Sequence, residues 1–323
     1  MPAIAIARFQ DEVLSVHTGK DHAPSTIRQV KQVLREFREV GVRRTSDLTG
    51  ARISAWKAAH PERTPVTVRS HLRCLRALCE RAVRLGYLRV NPLAVDPIKD
   101  WARDDAPTAR PRRQWALEAA DVRRVLELAD REAESGDWQA KRLRAYIWAL
   151  LSLGMRPGEL QRLETWDLDL GHRTVTIRAK LVPVVGKPDR WWRPKTVGSA
   201  ATIPVGDRLA AVLAAWLPHT GCRWLFPGSK RQDPWTSGGP GVRPLDQVKA
   251  LGVRAGVPGL WQKTGRKSVG SNARGAGLTS LERKGLFRHE DESTGDHYDE
   301  RHAEGLRAAV NKIERYYLGE TGT

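Results

Sequence analysis

Apolar and polar positions along the first hundred residues alternate with the period of helices. After Pro24-Ser25, a pair suited to a helix start, Ile27, Val30, Val33, Leu34, Phe37 and Val40 recur at three- and four-residue intervals until Gly41 stops the run. A second strong helix is predicted from Thr64-Pro65, with Val68, Leu72, Leu75, Leu78, Ala82 and Leu85 on one side and Gly86 at its end. Its other side is basic, with Arg69, Arg73, Arg76, Arg81 and Arg84, so one face packs and the other can meet phosphates or simply be solvated. Shorter helices at roughly 4–17 and 49–58 complete a four-helix unit.

From Asn91-Pro92 to Gln114 the periodicity gives way to prolines and charges, including Pro97, Pro107, Pro111, Arg103, Arg110, Arg112 and Arg113. That composition predicts an extended basic linker, suited to lie along a polyanion. Past Leu117 a helix is expected at about 119–134, then a longer one ending near Leu153-Gly154. Two strand-like runs follow, His172–Ala179 and Ala200–Val205, with Val175/Ile177 and Ile203/Val205 alternating. The rest reads as helical segments broken by glycines, with no internal repeat. The expected fold is therefore multidomain: an all-α, four-helix unit over 1–100, a linker over 101–113, and a mixed α+β, mainly helical domain with a small sheet over 114–323.

Composition adds a partner to this outline. The 323 residues suit two domains, and 40% apolar content lets both fold. The net charge of +18 divides into +8 for residues 1–100 and +10 for the remainder, so both parts are basic, as a protein gripping a polyanion from two sides requires. Cys74, Cys79 and Cys222 are odd in number and show no CxxC or metal-ligand spacing, which predicts free thiols in a reducing cytoplasm. Cys74 and Cys79 fall in an apolar helical pattern and are expected to pack. No stretch approaches the roughly 18 apolar residues of a membrane span. The residues from Met1 to Arg8 lack a signal peptide's basic start and long apolar run, so a soluble cytoplasmic protein without a membrane partner is expected.

Two stretches carry candidate chemistry. In Leu153-Gly154-Met155-Arg156-Pro157-Gly158-Glu159, Gly154 fits a helix C-cap and Pro157 the first position of the next helix, which leaves Arg156 in a tight turn. With Glu159 one helical turn on to orient it, such an arginine is either a rigid bidentate phosphate ligand or one half of a structural salt bridge. In the segment from Gly285 to Tyr298, a tyrosine follows His289 by nine residues in a polar, turn-rich context. His289, Glu290, Asp291, Glu292, Asp296 and His297 are also metal-ligand types, but they lack a defined ligand spacing, and no metal or other cofactor is expected. Tyr316 and Tyr317 are rival nucleophiles that more readily anchor the end of the basic helical run Arg307–Arg315.

The Arg156 turn, followed by Leu163-Glu164-Thr165-Trp166-Asp167-Leu168-Asp169 and a strand, resembles the first catalytic box of the tyrosine recombinases, the phage-integrase family. Later boxes align in order. Arg193-Pro194-Lys195-Thr196 before the strand Ala201–Val205 resembles the hairpin lysine, Lys263-Thr264-Gly265-Arg266 the His-x-x-Arg box, and Phe287-Arg288-His289 through Tyr298 the Gly-His box and nucleophile. The first domain resembles the family's helical, SAM-like DNA-binding domain, ending at Asn91-Pro92, so the resemblance covers nearly the whole chain.

This resemblance implies metal- and ATP-independent cleavage and rejoining of DNA through a 3′-phosphotyrosyl link. Tyr298 would be the nucleophile, Arg156, Arg266 and His289 the phosphate ligands, and Lys195 the proton donor to the departing oxygen, with Lys180 in reserve. It also implies two domains clamped around duplex DNA, with Arg69, Arg73, Arg76, Arg112, Arg113 and Arg193 on the DNA, and a tetramer acting on specific recombination sites. Two features depart from the common pattern. Lys263 stands where most members carry histidine; a lysine is normally charged and can only donate, so it is expected to hold the phosphate. Type IB topoisomerases are similar in having lysine there, which leaves DNA relaxation as an alternative, beside a catalytically silent DNA-binding regulator of the same fold. The connection from Ala179 to Ala200 is unusually long, and its Trp191-Trp192 pair is expected to pack the hairpin or to stack on DNA. Arg274 is expected two turns beyond Arg266 on one helix, as a backbone contact. The terminal helix, with Leu306, Ala309, Val310 and Ile313, would dock in its own domain or on a neighbouring protomer.

Overall fold

The computed structural model describes residues 3–19, 24–94, 116–134, 136–184, 187–192, 200–236, 241–287 and 300–320. The linker predicted over 101–113, with Arg112 and Arg113, lies outside them. The chain forms two compact units, Met1–Ala109 and Arg110–Thr323.

The first unit holds helices α1 (Ile6–Gly19), α2 (Pro24–Glu39), α3 (Gly50–Ala58) and α4 (Pro65–Arg84). Thr64 caps α4, its hydroxyl accepting from the Thr67 N–H, and Pro65 sits in the first turn, where a missing N–H costs nothing. The apolar faces meet in one core built around Phe9, Val33, Leu34, Phe37, Trp56, Leu72 and Leu75. Cys79 is buried there and Cys74 packs against it, and burial pushes their thiols up to about 12 and about 11. Leu85 departs from the expected face and is 37% exposed, because the chain leaves the helical path into Gly86 (φ +75) immediately after it. On the basic side of α4, Arg69, Arg73 and Arg84 are exposed, whereas Arg76 donates to Glu80 at 3.2 Å.

A buried ionic cluster joins α2 to α3 and to the turn before α4. Glu36 on α2 accepts from Trp56 Nε1 on α3 at 3.1 Å and from Arg63 Nη2 at 2.8 Å. Burial opposes its ionisation, but the hydrogen bonds from Arg63, Trp56 and Gln32 prevail and hold its carboxyl below the usual range. Hydrophobic periodicity cannot reveal this cluster, since Glu36 reads as one polar position among many.

The second unit is built around α6 (Trp138–Ser152), whose residues from Ala145 to Ser152 are all buried, as in a central helix covered on every side. Packed on it are α5 (Ala119–Glu134), α8 (Asp207–Trp216) and α10 (Gln262–Asn272). The short α7 (Pro157–Leu160) follows α6, and α9 (Pro244–Arg254), α11 (Ser280–Phe287) and α12 (Glu300–Leu318) complete the helices. Strands β1 (Leu168–Asp169), β2 (Thr174–Ile177) and β5 (Ala201–Pro204) form an antiparallel sheet in the order β1-β2-β5, with Val175 opposite Ile203. Val175 and Ile177 turn into the core, and Thr176 meets Thr202 hydroxyl to hydroxyl at 3.0 Å on the other face.

The long connection between β2 and β5 contains a second element, a two-stranded ribbon of β3 (Lys180–Val184) and β4 (Lys187–Trp192) with Lys180 opposite Trp192. Pro183 and Pro188 interrupt the strand signal, and the pairing is irregular between Val182 and Val184. Helix α12 docks within its own unit: Leu306, Ala309, Val310, Ile313 and Tyr317 join the core. Its Glu314 accepts the backbone N–H groups of Arg208 (3.0 Å) and Leu209 (3.3 Å) at the start of α8, and Asn311 accepts that of Asp207 at 2.8 Å. Among the described residues no helix is long and apolar enough to cross a membrane.

Candidate active site

Helix α6 closes at Leu153, and Gly154 (φ +58) takes the left-handed conformation that a residue with a β-carbon adopts at a cost. The chain then turns through buried Met155 to Arg156, whose extended backbone (φ −69, ψ 141) leads into Pro157 at the start of α7. Glu159 holds this turn with both oxygens, Oε2 accepting the Arg156 backbone N–H at 3.0 Å and Oε1 accepting its Nη1 at 2.9 Å. The side chain of Glu159 is 2% exposed and that of Arg156 37%. The carboxylate is sunk in protein and the guanidinium reaches out of it.

Helix α10 brings the next residues. Thr264 fixes its start, its Oγ1 accepting the Trp261 N–H at 3.1 Å and donating to the Trp261 carbonyl at 2.6 Å. Gly265 allows a close approach to α6, since a β-carbon there would stand 2.5 Å from the Leu150 carbonyl oxygen. Ser268 Oγ accepts the Leu117 N–H at 2.9 Å and Asn272 donates to the Leu117 carbonyl at 2.8 Å, tying the start of the unit to the same helix. Lys263 is exposed in the first turn, and Arg266 lies half-buried one turn on. Arg266 Nη1 donates to the Gly154 carbonyl at 2.9 Å and Nη2 to the Phe287 carbonyl at 2.6 Å. One side chain thus joins the turn that carries Arg156 to the end of α11, two residues before His289.

The structure therefore brings together Arg156, Glu159, Lys263 and Arg266. Lys195, Arg193, His289 and Tyr298 lie outside the described residues, as do all the acidic and histidine side chains read as metal-ligand types; Lys180 opens β3. Among the described residues no group of three or more His, Cys, Asp and Glu could hold a metal ion. Arg274 falls just beyond α10, which ends at Asn272, and so is not on the same helix as Arg266.

The other tyrosines pack or hydrogen-bond within the units that hold them. Tyr87 donates to Glu12 at 3.1 Å, and Tyr146 is fully buried with Gln161 and Gln262 on its hydroxyl. Tyr317 is fully buried near the end of α12, where Arg123 Nε bonds its carbonyl at 2.8 Å. Burial raises the phenol pKa of both Tyr146 and Tyr317, which disfavours the phenolate. Tyr316 is partly buried against the same core.

Two acids between the Arg156 turn and β1 were not among the sequence candidates. Asp167 Oδ1 lies 2.7 Å from Arg178 Nε, at the exit of β2 toward the ribbon, and Glu164 lies 3.6 Å from Arg223 Nε. Both acids are buried, while the arginines stay partly exposed. Their sequence signal is the acid at each end of Glu164-Thr165-Trp166-Asp167, closed by the Glu164 N–H donating to Asp167 Oδ2 at 2.8 Å.

This architecture is the fold of the tyrosine recombinase catalytic domain. Of solved structures, the Tn1549 transposon integrase in complex with transposon right end DNA matches with a TM-score of 0.67 at 15% identity, over 95% of this chain and 100% of that one. A λ integrase dimer bound to a COC′ core site matches with a TM-score of 0.60 at 14% identity, over 92% of this chain and 99% of that one. By sequence the chain is similar over about half its length to tyrosine recombinases: tyrosine recombinase XerC of Mycobacterium tuberculosis is 31% identical over 165 residues, 51% of this chain and 47% of the relative. The XerC of Mycobacterium sp. strain KMS is 29% identical over 165 residues, 51% of this chain and 46% of that protein. The chain thus spans about half the length of the curated relatives it matches. No family model matches it.

Proposed function

We propose that the chain is a site-specific tyrosine recombinase that cuts and rejoins duplex DNA through a 3′-phosphotyrosyl link, without metal or ATP. In this reading residues 1–100 bind DNA, 101–113 link, and 114–323 catalyse, in a tetramer assembled on paired sites. The carrying observation is the pair of hydrogen bonds that Arg266 donates to the Gly154 and Phe287 carbonyls, which gathers the Arg156 turn, the Lys263 helix and the end of α11 around one point.

A phenol with a pKa of about 10 is a poor nucleophile until the phosphate it attacks is made electrophilic. Arg156 and Arg266 neutralise the non-bridging oxygens as charge builds, each such preorganised donor contributing on the order of 3 kcal/mol. His289 and Lys263 add hydrogen bonds to the same phosphate. The Tyr298 oxygen forms the new P–O bond as its proton passes to solvent water, the bond to the 5′ oxygen breaks, and Lys195 protonates that oxygen. The reverse step rejoins the strand. The structural roles of Tyr87, Tyr146 and Tyr317 favour Tyr298 as the nucleophile.

The test is capture of covalent protein–DNA adducts from a pool of nicked duplexes of random sequence, followed by sequencing of the captured strands. The wild-type chain is expected to yield adducts on a defined sequence, and Tyr298→Phe to bind the recovered duplex with no adduct. An adduct that survives Tyr298→Phe would overturn the nucleophile assignment. Tight binding to a defined sequence with no adduct would favour a silent regulator, and relaxation of plasmids lacking that sequence would favour a topoisomerase.

A further inference from the structure

The aromatic ring at the end of α11 is built into the site. A β-carbon on Gly154 would stand 3.2 Å from Phe287 Cε1, and one on Gly270 would stand 3.3 Å from its Cζ. The ring thus fills a slot between two positions that carry no side chain, one in the Arg156 turn and one on the helix of Arg266. The Arg266 guanidinium carbon lies 5.2 Å from the ring centroid, and its Nη2 donates to the carbonyl of the same residue at 2.6 Å. Phe287 is 9% exposed and also touches the core. Gly154 is fixed also by its φ of +58, so Gly270 and the cation over the ring are what set Phe287 apart from an ordinary core aromatic.

We propose that Phe287 is a positioning residue for strand cleavage: its ring sets the separation of the Arg156 turn and Arg266. This deepens the recombinase reading and rests on it. The physical basis is rigidity. Without the ring, the Gly154 turn loses its backing, the guanidinium loses its cation–π contact, and the Phe287 carbonyl that orients Nη2 is free to shift. Arg266 then meets the phosphate from a spread of orientations, and a donor out of place by about 1 Å forfeits much of its effect on the transition state.

The test uses the complete chain and the duplex recovered by adduct capture, made with either a normal phosphate or a methylphosphonate at the cleaved position. The methylphosphonate is neutral, so its transition state needs less from an arginine clamp. Phe287→Ala is expected to slow adduct formation by about 100-fold on the phosphate while binding DNA within about threefold of wild type. On the methylphosphonate the deficit is expected to shrink to within about tenfold. Phe287→Leu, which keeps the core filled but lacks the aromatic face, is expected to fall between, and it carries the test if Phe287→Ala does not fold. Adduct rates equal to wild type in Phe287→Leu, or equal losses on both substrates, would overturn the proposal. Absence of adduct with the wild-type chain would instead remove the recombinase reading on which it stands.

Discussion

At the scale of single residues, the site depends on charges sunk in protein that aim partly exposed ones. Glu159 is buried so that Arg156 need not be, and its two oxygens fix both the backbone and the guanidinium of that arginine. Glu159→Gln keeps an acceptor for the backbone N–H and removes the charge opposite the guanidinium. The lost charge-assisted bond, worth about 1.5–3 kcal/mol, should slow adduct formation roughly 10- to 100-fold with DNA affinity little changed. A single-turnover assay with saturating enzyme measures this, and an unchanged rate would mean that Arg156 is aimed without its partner. Sequence made this pair legible because both residues lie in one turn. It did not make Phe287 legible, since its partners Gly154, Arg266 and Gly270 come from two other elements and nothing local marks the ring as more than core.

At the scale of elements, the docking of α12 matters because the segment bearing Tyr298 leads directly into it. Helix α12 is held at the start of α8 by Glu314, and burial pushes that carboxyl up to about 7 against the hydrogen bonds from the Arg208 and Leu209 N–H groups. The neighbouring Asp207 adds to the rise, and Asp207 is itself paired with Arg173, while Arg208 pairs with Glu320. Elsewhere α12 meets Arg123 of α5 at the Tyr317 carbonyl and Glu282 of α11 at Lys312. A folded-state pKa of about 7 against a reference of 4.5 means that the docked form holds a proton the undocked form lacks. Its contribution is therefore present below about pH 4.5 and is lost as pH rises to about 7, a span of roughly 3 kcal/mol. Glu314→Gln should remove this dependence. Hydrogen exchange in α12 should be slower than wild type above about pH 7 and converge with it as pH falls toward 5. Equal exchange at both ends of that range would show that Glu314 does not govern docking.

At the scale of the whole molecule, charge is shared between the two units, +8 on residues 1–100 and +10 on the rest, and the proposed partner is a polyanion. Arg69 and Arg73 are exposed on α4. If both meet phosphates, Arg69→Ala with Arg73→Ala should reduce the slope of log affinity against log salt by roughly 2, uniformly across DNA sequences. A filter-binding series over salt concentration checks this, and an unchanged slope would assign that face to solvent.

Sequence by itself determined the helices α1 to α6, two strands of the sheet and the Arg156 turn, because periodicity, caps and turn residues act over a few positions. The buried Glu36 cluster, the β3–β4 ribbon, the α12 dock at Glu314 and the aromatic slot around Phe287 were decided only in three dimensions. Each depends on groups far apart in the chain, where burial gives a lone polar residue its pKa, or the missing side chain of a glycine its meaning. Arg266 shows both sides of this division: its box was readable, but the two carbonyls that orient it, 112 residues before it and 21 after, belong to the fold alone.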